Sequence, residues 1–300
     1  MMRKWLVILP AIMIVLAGCK KEEEEEEGGG GGEQGITQEQ AAQIGQTQAY
    51  FLSQEIIKAF NPSSFVPSFG SISPKDTSVI DDDTLIIIGD TTDADTDGIY
   101  VNAQIYVKYD EEYNNPGNNY SYYTLIKGWL KSVDKNDNNP YVWEITLGDG
   151  SNPFKIQVDF QDPQQSIHSV IEYLGTMGAN QVGDTYSVYY DNLTLSITYD
   201  TLEAGIVLDW TLKGRVTEPS NWQPGEEFTS AEAWVNGTEN YEGYELTVST
   251  LETLIVVSSG GNTYIDDGKI KITDNYGNEV VIEYTGGGNF VVYYNGKVIS

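Results

Sequence analysis

The residues whose types and spacing suit chemistry are few, and most of them are acidic. Asp93-Ala94-Asp95-Thr96-Asp97-Gly98 sets a carboxylate at every second position with a glycine behind them. Alternation of this kind lets Asp93, Asp95 and Asp97 turn three oxygens toward one hard cation, calcium above all, while the glycine permits the reversal. The competing reading is an acidic, well-solvated turn. Asp134, Asn136 and Asn138 form a second, poorer oxygen-rich turn before Pro140. His168 is the chain's one histidine, and an imidazole that titrates near neutrality can serve as a general base. Four residues ahead of Glu172, it reads more simply as a surface side chain loosely paired with that carboxylate. Trp222 lies in the loop Glu218-Pro219-Ser220-Asn221-Trp222-Gln223-Pro224-Gly225, outside any alternating run. That makes it the candidate for an exposed ligand contact. The other tryptophans at 129, 143, 210 and 234, with twenty-one tyrosines, suit a carbohydrate platform or an apolar cavity, although strands favour aromatics for packing alone.

The aspartate run resembles the first half of an EF-hand loop. The resemblance stops there: the twelfth position, which would supply a bidentate glutamate, is Gln104, and the chain from Ile99 onward alternates like a strand. Much other chemistry is excluded by composition. One cysteine and one histidine leave no intrachain disulfide, no multi-cysteine zinc, haem or iron–sulfur site and no multi-histidine cluster. There is no Gly-x-Ser-x-Gly elbow, no His-Glu-x-x-His and no phosphate-binding loop. Sixteen basic against forty-five acidic residues give a net charge of −29, a field that repels phosphate backbones, so nucleic acid is not an expected partner. A glycosidase needs only two converging acids. With this many carboxylates their presence carries no information, and the expected role is non-enzymatic.

The strongest signal lies at the start. Arg3 and Lys4 precede an apolar run at 5–16, interrupted by Pro10 and too short for a permanent membrane helix. It ends in Leu16-Ala17-Gly18-Cys19, where the chain's only thiol follows small residues. This resembles the lipobox of bacterial lipoproteins. The resemblance implies that residues 1–18 are a signal peptide removed before Cys19, that Cys19 is acylated, and that several acyl chains, such as palmitate, give a firm anchor. Residues 19–36 then form a lipidated tether. Six glutamates at 22–27 repel one another and five glycines at 28–32 resist ordering. Over 20–35 this gives a reach of roughly 20–25 Å. Lys20 after the cysteine, in Cys-Lys-Lys-Glu-Glu, is similar to export signals of outer-membrane and surface lipoproteins, so the expected location is the bacterial cell envelope, most simply the outer membrane.

A body over 37–300 must position the remaining candidates. Thr37-Gln38-Glu39-Gln40 has the form of a capping box, and Ala49, Leu52, Ile56 and Phe60 share a helical face, predicting a helix over 37–60 stopped by Asn61-Pro62. Asp162, Pro163, the stripe Ile167, Val170, Ile171 and Leu174, and Gly175 predict a second helix over 163–174. Most of the rest alternates with period two, as in Ile99-Val101-Ala103-Ile105-Val107 and Ile206-Leu208-Trp210-Leu212. Turn residues fall between the runs, as at 191–192, 266–268, 275–278, 286–288 and 295–296. Short turns between such runs imply antiparallel hairpins. The expected fold is therefore mainly β (α+β): a large antiparallel meander forming a curved sheet, half-barrel or sandwich, with two covering helices. The expected function is a membrane-anchored envelope lipoprotein with a binding or structural role toward a protein, glycan or lipid. Carriage of a lipid-like ligand in a half-barrel cavity and a carbohydrate-active enzyme are the alternatives.

Overall fold

The computed structural model describes residues 35–60, 84–95, 98–115, 120–161, 163, 166–199, 202–220, 222, 226–241, 243–259 and 262–300. Cys19, the tether up to 34, Asp97 and Asp162 lie outside the described residues. The described chain is one antiparallel meander of fourteen strands with one α-helix, and it divides into two compact units. One comprises the described residues up to 57 together with 216–222 and 226–300; the other comprises 58–215 and 223–225.

In the first unit the helix, α1 (Gln38–Ala59), starts where the capping box places it. The Thr37 hydroxyl accepts the Gln40 N–H at 3.3 Å while Gln40 Oε1 accepts the Thr37 N–H at 2.8 Å, so two otherwise orphaned amides are satisfied reciprocally. Ala41, Ile44, Ala49, Leu52 and Ile56 are buried, at spacings of three to five that keep them on one face. That face lies on the sheet of β9 (Ser230–Tyr241), β10 (Tyr244–Ser259), β11 (Asn262–Asp274), β12 (Glu279–Gly286) and β13 (Asn289–Tyr294), with β14 (Lys297–Val298) at the edge. The fit is close: a Cβ on Gly45 would stand 2.4 Å from Val292 Cγ1. The Tyr284 hydroxyl donates to Ala49 O at 3.1 Å in the interior. Covering one sheet face explains the alternation of buried and open positions along β9, β11 and β12.

The second unit contains β1 (Thr84–Asp90), β2 (Asn102–Asn115), β3 (Tyr120–Asp134), β4 (Trp143–Leu147), β5 (Phe154–Gln161), β6 (Ser166–Val182), β7 (Thr185–Tyr199) and most of β8 (Leu202–Glu218). β4 and β5 both lie between β3 and β6. β4 pairs with Leu130 to Asp134 of β3, and β5 with Ser121 to Lys127.

The predicted second helix is absent. Residues 166–182 are the long strand β6, paired with β5 over 166–173 and with β7 along nearly its whole length. Ile167, Val170 and Ile171 favour a pleated strand over a helix, and partners on both sides satisfy the backbone groups that point alternately to each of them. Gly175 is accordingly no helix stop. It sits in β6 with φ of 132°, at a bulge where an added Cβ would lie 2.7 Å from Leu193 Cα. Without that covering helix, β5 stays half-open from Lys155 to Phe160 instead of alternating. Two predicted turns also prove internal: 191–192 lies within β7 and 266–268 within β11, both at irregularities of register. The turns at 275–278, 286–288 and 295–296 are where the sequence puts them.

Candidate metal centre

Two loops of the second unit carry the oxygen-rich residues. One joins β1 to β2 and holds Asp93 and Asp95; the other joins β3 to β4 and holds Asn136, Asp137 and Asn138. The β2–β3 register, which sets Ala103 opposite Ser132, brings them together. Just before β2, the Tyr100 N–H donates to Ser132 Oγ at 2.8 Å, and the Asp134 N–H donates to Tyr100 O at 3.0 Å. Across the loops, the Ala94 N–H donates to Asp137 Oδ1 at 2.6 Å. Asp93, Asp95 and Asp137 can then each offer one carboxylate oxygen such that all three lie within 4.8 Å of one another.

Each loop also fixes its own acids. Asp93 Oδ2 accepts the Gly98 N–H at 3.2 Å, and Asp134 Oδ1 accepts the Asn136 N–H at 2.8 Å. Their second oxygens, Asp93 Oδ1 and Asp134 Oδ2, are buried without a hydrogen-bond partner. Asp134 is only 6% exposed. Burial pushes its carboxyl up, and so do the charges of Asp95 and Asp137, against the lowering effect of the Asn136 N–H. Tyr100 and Tyr141 flank the cluster. Burial raises both phenols, and the charge of Asp93 adds to the first and that of Asp95 to the second. Tyr141 meets Tyr186 edge-on with ring centres 5.5 Å apart, and Gln181 ties Tyr186 to Asn139. The neighbouring cation, Lys135, is taken up by Glu144 at 2.6 Å and Tyr189 at 3.1 Å.

Of the predicted triad, Asp93 and Asp95 converge and Asp97 lies outside the described residues; among the described residues Asp137 joins the first two, with Asp134 close by. The sequence flags Asp134 through its turn composition and misses Asp137, which qualifies only once β2 and β3 are in register.

The other candidates fall elsewhere. His168 is on β6 and hydrogen-bonded through Nδ1 to Asp159, the residue opposite it on β5, and not paired with Glu172 on a helix. A strand puts neighbours four apart on the same face but far apart, whereas a cross-strand partner is adjacent. Trp222, in the first unit, is not an exposed contact: it is 7% exposed, its Nε1 donates to Glu226 O at 2.8 Å, and its ring meets Phe228 edge-on at 6.1 Å. Loop aromatics that close their own turn bury the ring and satisfy the indole N–H together. A depression of about 220 Å3 opens in the second unit between Gln104, Trp129, Leu130, Lys131, Gly148 and Asp149. Compared with known protein families, with curated proteins and with solved structures, the chain matches none. Among the described residues no helix is long and apolar enough to cross a membrane.

Proposed function

We propose that this chain is an acylated lipoprotein of the bacterial cell envelope, anchored through Cys19 and presenting a non-enzymatic β-rich body for contact with a protein, glycan or lipid. The observation that carries the reading is the ending of the apolar run at Leu16-Ala17-Gly18-Cys19, with the chain's only thiol at the point of acylation. The acidic and glycine-rich stretch that follows suits a spacer between membrane and body.

Contact at a surface is favoured over carriage by how the described residues are packed. Beneath α1 the space is filled by Leu52, Ile56, Val280 and Val292, all fully buried. In the second unit, the half-open strands present aromatic and acidic side chains side by side. Tyr109 and Tyr122 both donate to Glu111, at 2.6 and 2.8 Å, and Tyr113 stacks on Tyr122 at 5.4 Å. Amphipathic rings beside carboxylates suit polar partners.

The test is metabolic labelling with a palmitate analogue in a bacterial host, followed by membrane fractionation and protease shaving of intact cells. The wild-type chain is expected to take label and sediment with membranes, and Cys19→Ser to do neither. An uncleaved, unmodified N-terminus in the wild type overturns the proposal. Shaving then reports which side the body faces.

A further inference from the structure

We propose that Asp93, Asp95 and Asp137, with Asp134 behind them, bind one calcium ion, which staples the β1–β2 loop to the β3–β4 loop. The site is independent of how the chain is anchored. Oxygens that share a calcium at about 2.3–2.6 Å stand at most about 5 Å apart, and one oxygen from each of the three carboxylates lies within 4.8 Å of the others. The donors are all hard oxygens, as calcium prefers.

The decisive observation is how the oxygens are divided. Asp93, Asp134 and Asp137 each give one oxygen to a backbone N–H, of Gly98, Asn136 and Ala94 respectively. The hydrogen bonds hold the carboxylates in place and leave the second oxygens available. Asp134 Oδ2 and Asp93 Oδ1 are buried with no hydrogen-bond partner, and Asp134 as a residue is more than nine-tenths buried. An unmatched carboxylate oxygen facing other carboxylates is costly, and a divalent cation removes that cost at once. Lys135, next in sequence, is committed to Glu144 and Tyr189. Tyr100 and Tyr141, beside Asp93 and Asp95, wall the acids on the protein side.

Calcium chloride titrated by calorimetry into chelator-treated chain decides the matter, with magnesium chloride in parallel. One calcium per chain is expected, with affinity in the submillimolar to millimolar range typical of extracellular modules and magnesium at least tenfold weaker. Asp137→Asn and Asp134→Asn should each lower affinity at least tenfold, while replacing the glutamates at 22–27 by glutamine should leave it unchanged. A readout on the wild-type chain keeps the test valid should a variant not fold. Terbium should luminesce when excited through Tyr100 and Tyr141, and calcium should quench it. No heat up to about 10 mM calcium, equal binding of magnesium, or binding lost with the tether glutamates overturns the site. So does binding that survives Asp93→Asn with Asp137→Asn in a folded protein.

Discussion

Gln48 and Glu239 meet in the interior of the first unit, where Gln48 Nε2 donates to Glu239 Oε1 at 2.7 Å. The remaining oxygens of the same two side chains, Gln48 Oε1 and Glu239 Oε2, are buried without a hydrogen-bond partner. Both are acceptors when the carboxylate is charged. A proton on Glu239 turns one of them into a donor, and burial pushes the carboxyl up to about 8. The pair is therefore an acid and an amide at neutral pH.

This sets a pH dependence with a definite sign. In the unfolded chain Glu239 titrates near its ordinary 4.5, and in the folded chain near 8. Between those values the unfolded state has released a proton that the native state keeps. Stability from this group is thus complete below about 4.5, falls as pH rises through the window, and levels off above 8. The full effect is at most about 5 kcal/mol. Glu239→Gln, which keeps the shape and needs no proton, should be more stable than wild type at pH 9 and no more stable at pH 4. Urea midpoints of both proteins across that range check it; a difference that stays constant with pH counts against a neutral Glu239.

Asp274 shows the opposite linkage. Burial alone would raise its carboxyl, but donors from Asn278, Ile36 and Tyr276 hold it below the usual carboxylate range. The Ile36 and Tyr276 N–H groups each lie at 2.9 Å, and Asn278 gives both its N–H and Nδ2 at 2.8 Å. One carboxylate thus closes the β11–β12 turn and fastens the residue two before α1. Its stabilisation is present above the ordinary value of 3.8 and is lost as pH falls through the depressed folded value. Asp274→Ala should cost roughly 3 kcal/mol at pH 7 through the donors left unpaired. That cost should shrink on acidification below pH 4, as measured by thermal melts.

How much of this was legible in the sequence depends on the range over which each feature is decided. The start of α1 is decided within four residues, and the Thr37–Gln40 reciprocal bonds are where the capping box implies. Residues 163–175 mislead because Ile167, Val170, Ile171 and Leu174 hold helical spacing, whereas the strand sends Ile167 and Ile171 to one face and Val170 and Leu174 to the other. What decides for strand is the pairing with β5 and β7, which no local pattern contains. Asp137 is hidden for the same reason, since it lies forty-three residues from Ala94, the amide it holds. Glu239 was open to discovery: Ala231, Ala233 and Val235 are buried on β9, and the same period-two phase carries an acid inward at 239.

Gly45 is a small residue that α1 needs for contact and not for conformation. Alanine is the better helix former by about 1 kcal/mol, yet its Cβ would lie 2.4 Å from Val292 Cγ1 and 3.3 Å from Val280 Cγ1. The clash should win, making Gly45→Ala less stable by about 1–3 kcal/mol. Val292→Ala in the same chain removes the nearest atom, so the double variant should recover part of the loss. A double-mutant cycle with no coupling would mean that the helix does not sit against Val292.

Trp222 separates a structural loop residue from a ligand contact. Its Nε1–H is used by Glu226 O and its ring by Phe228, so Trp222→Ala opens a cavity and also frees a carbonyl that it had satisfied. The expected loss is about 3 kcal/mol, read from the urea midpoint. Trp222→Phe keeps the contact with Phe228 but loses the hydrogen bond, and should fall between the two. Its indole should be poorly quenched by iodide, because the ring is 7% exposed. Difference spectra between wild type and Trp222→Phe isolate that indole from the other tryptophans. Strong iodide quenching with unchanged stability would restore Trp222 to the surface and make it again a candidate for contact with a partner.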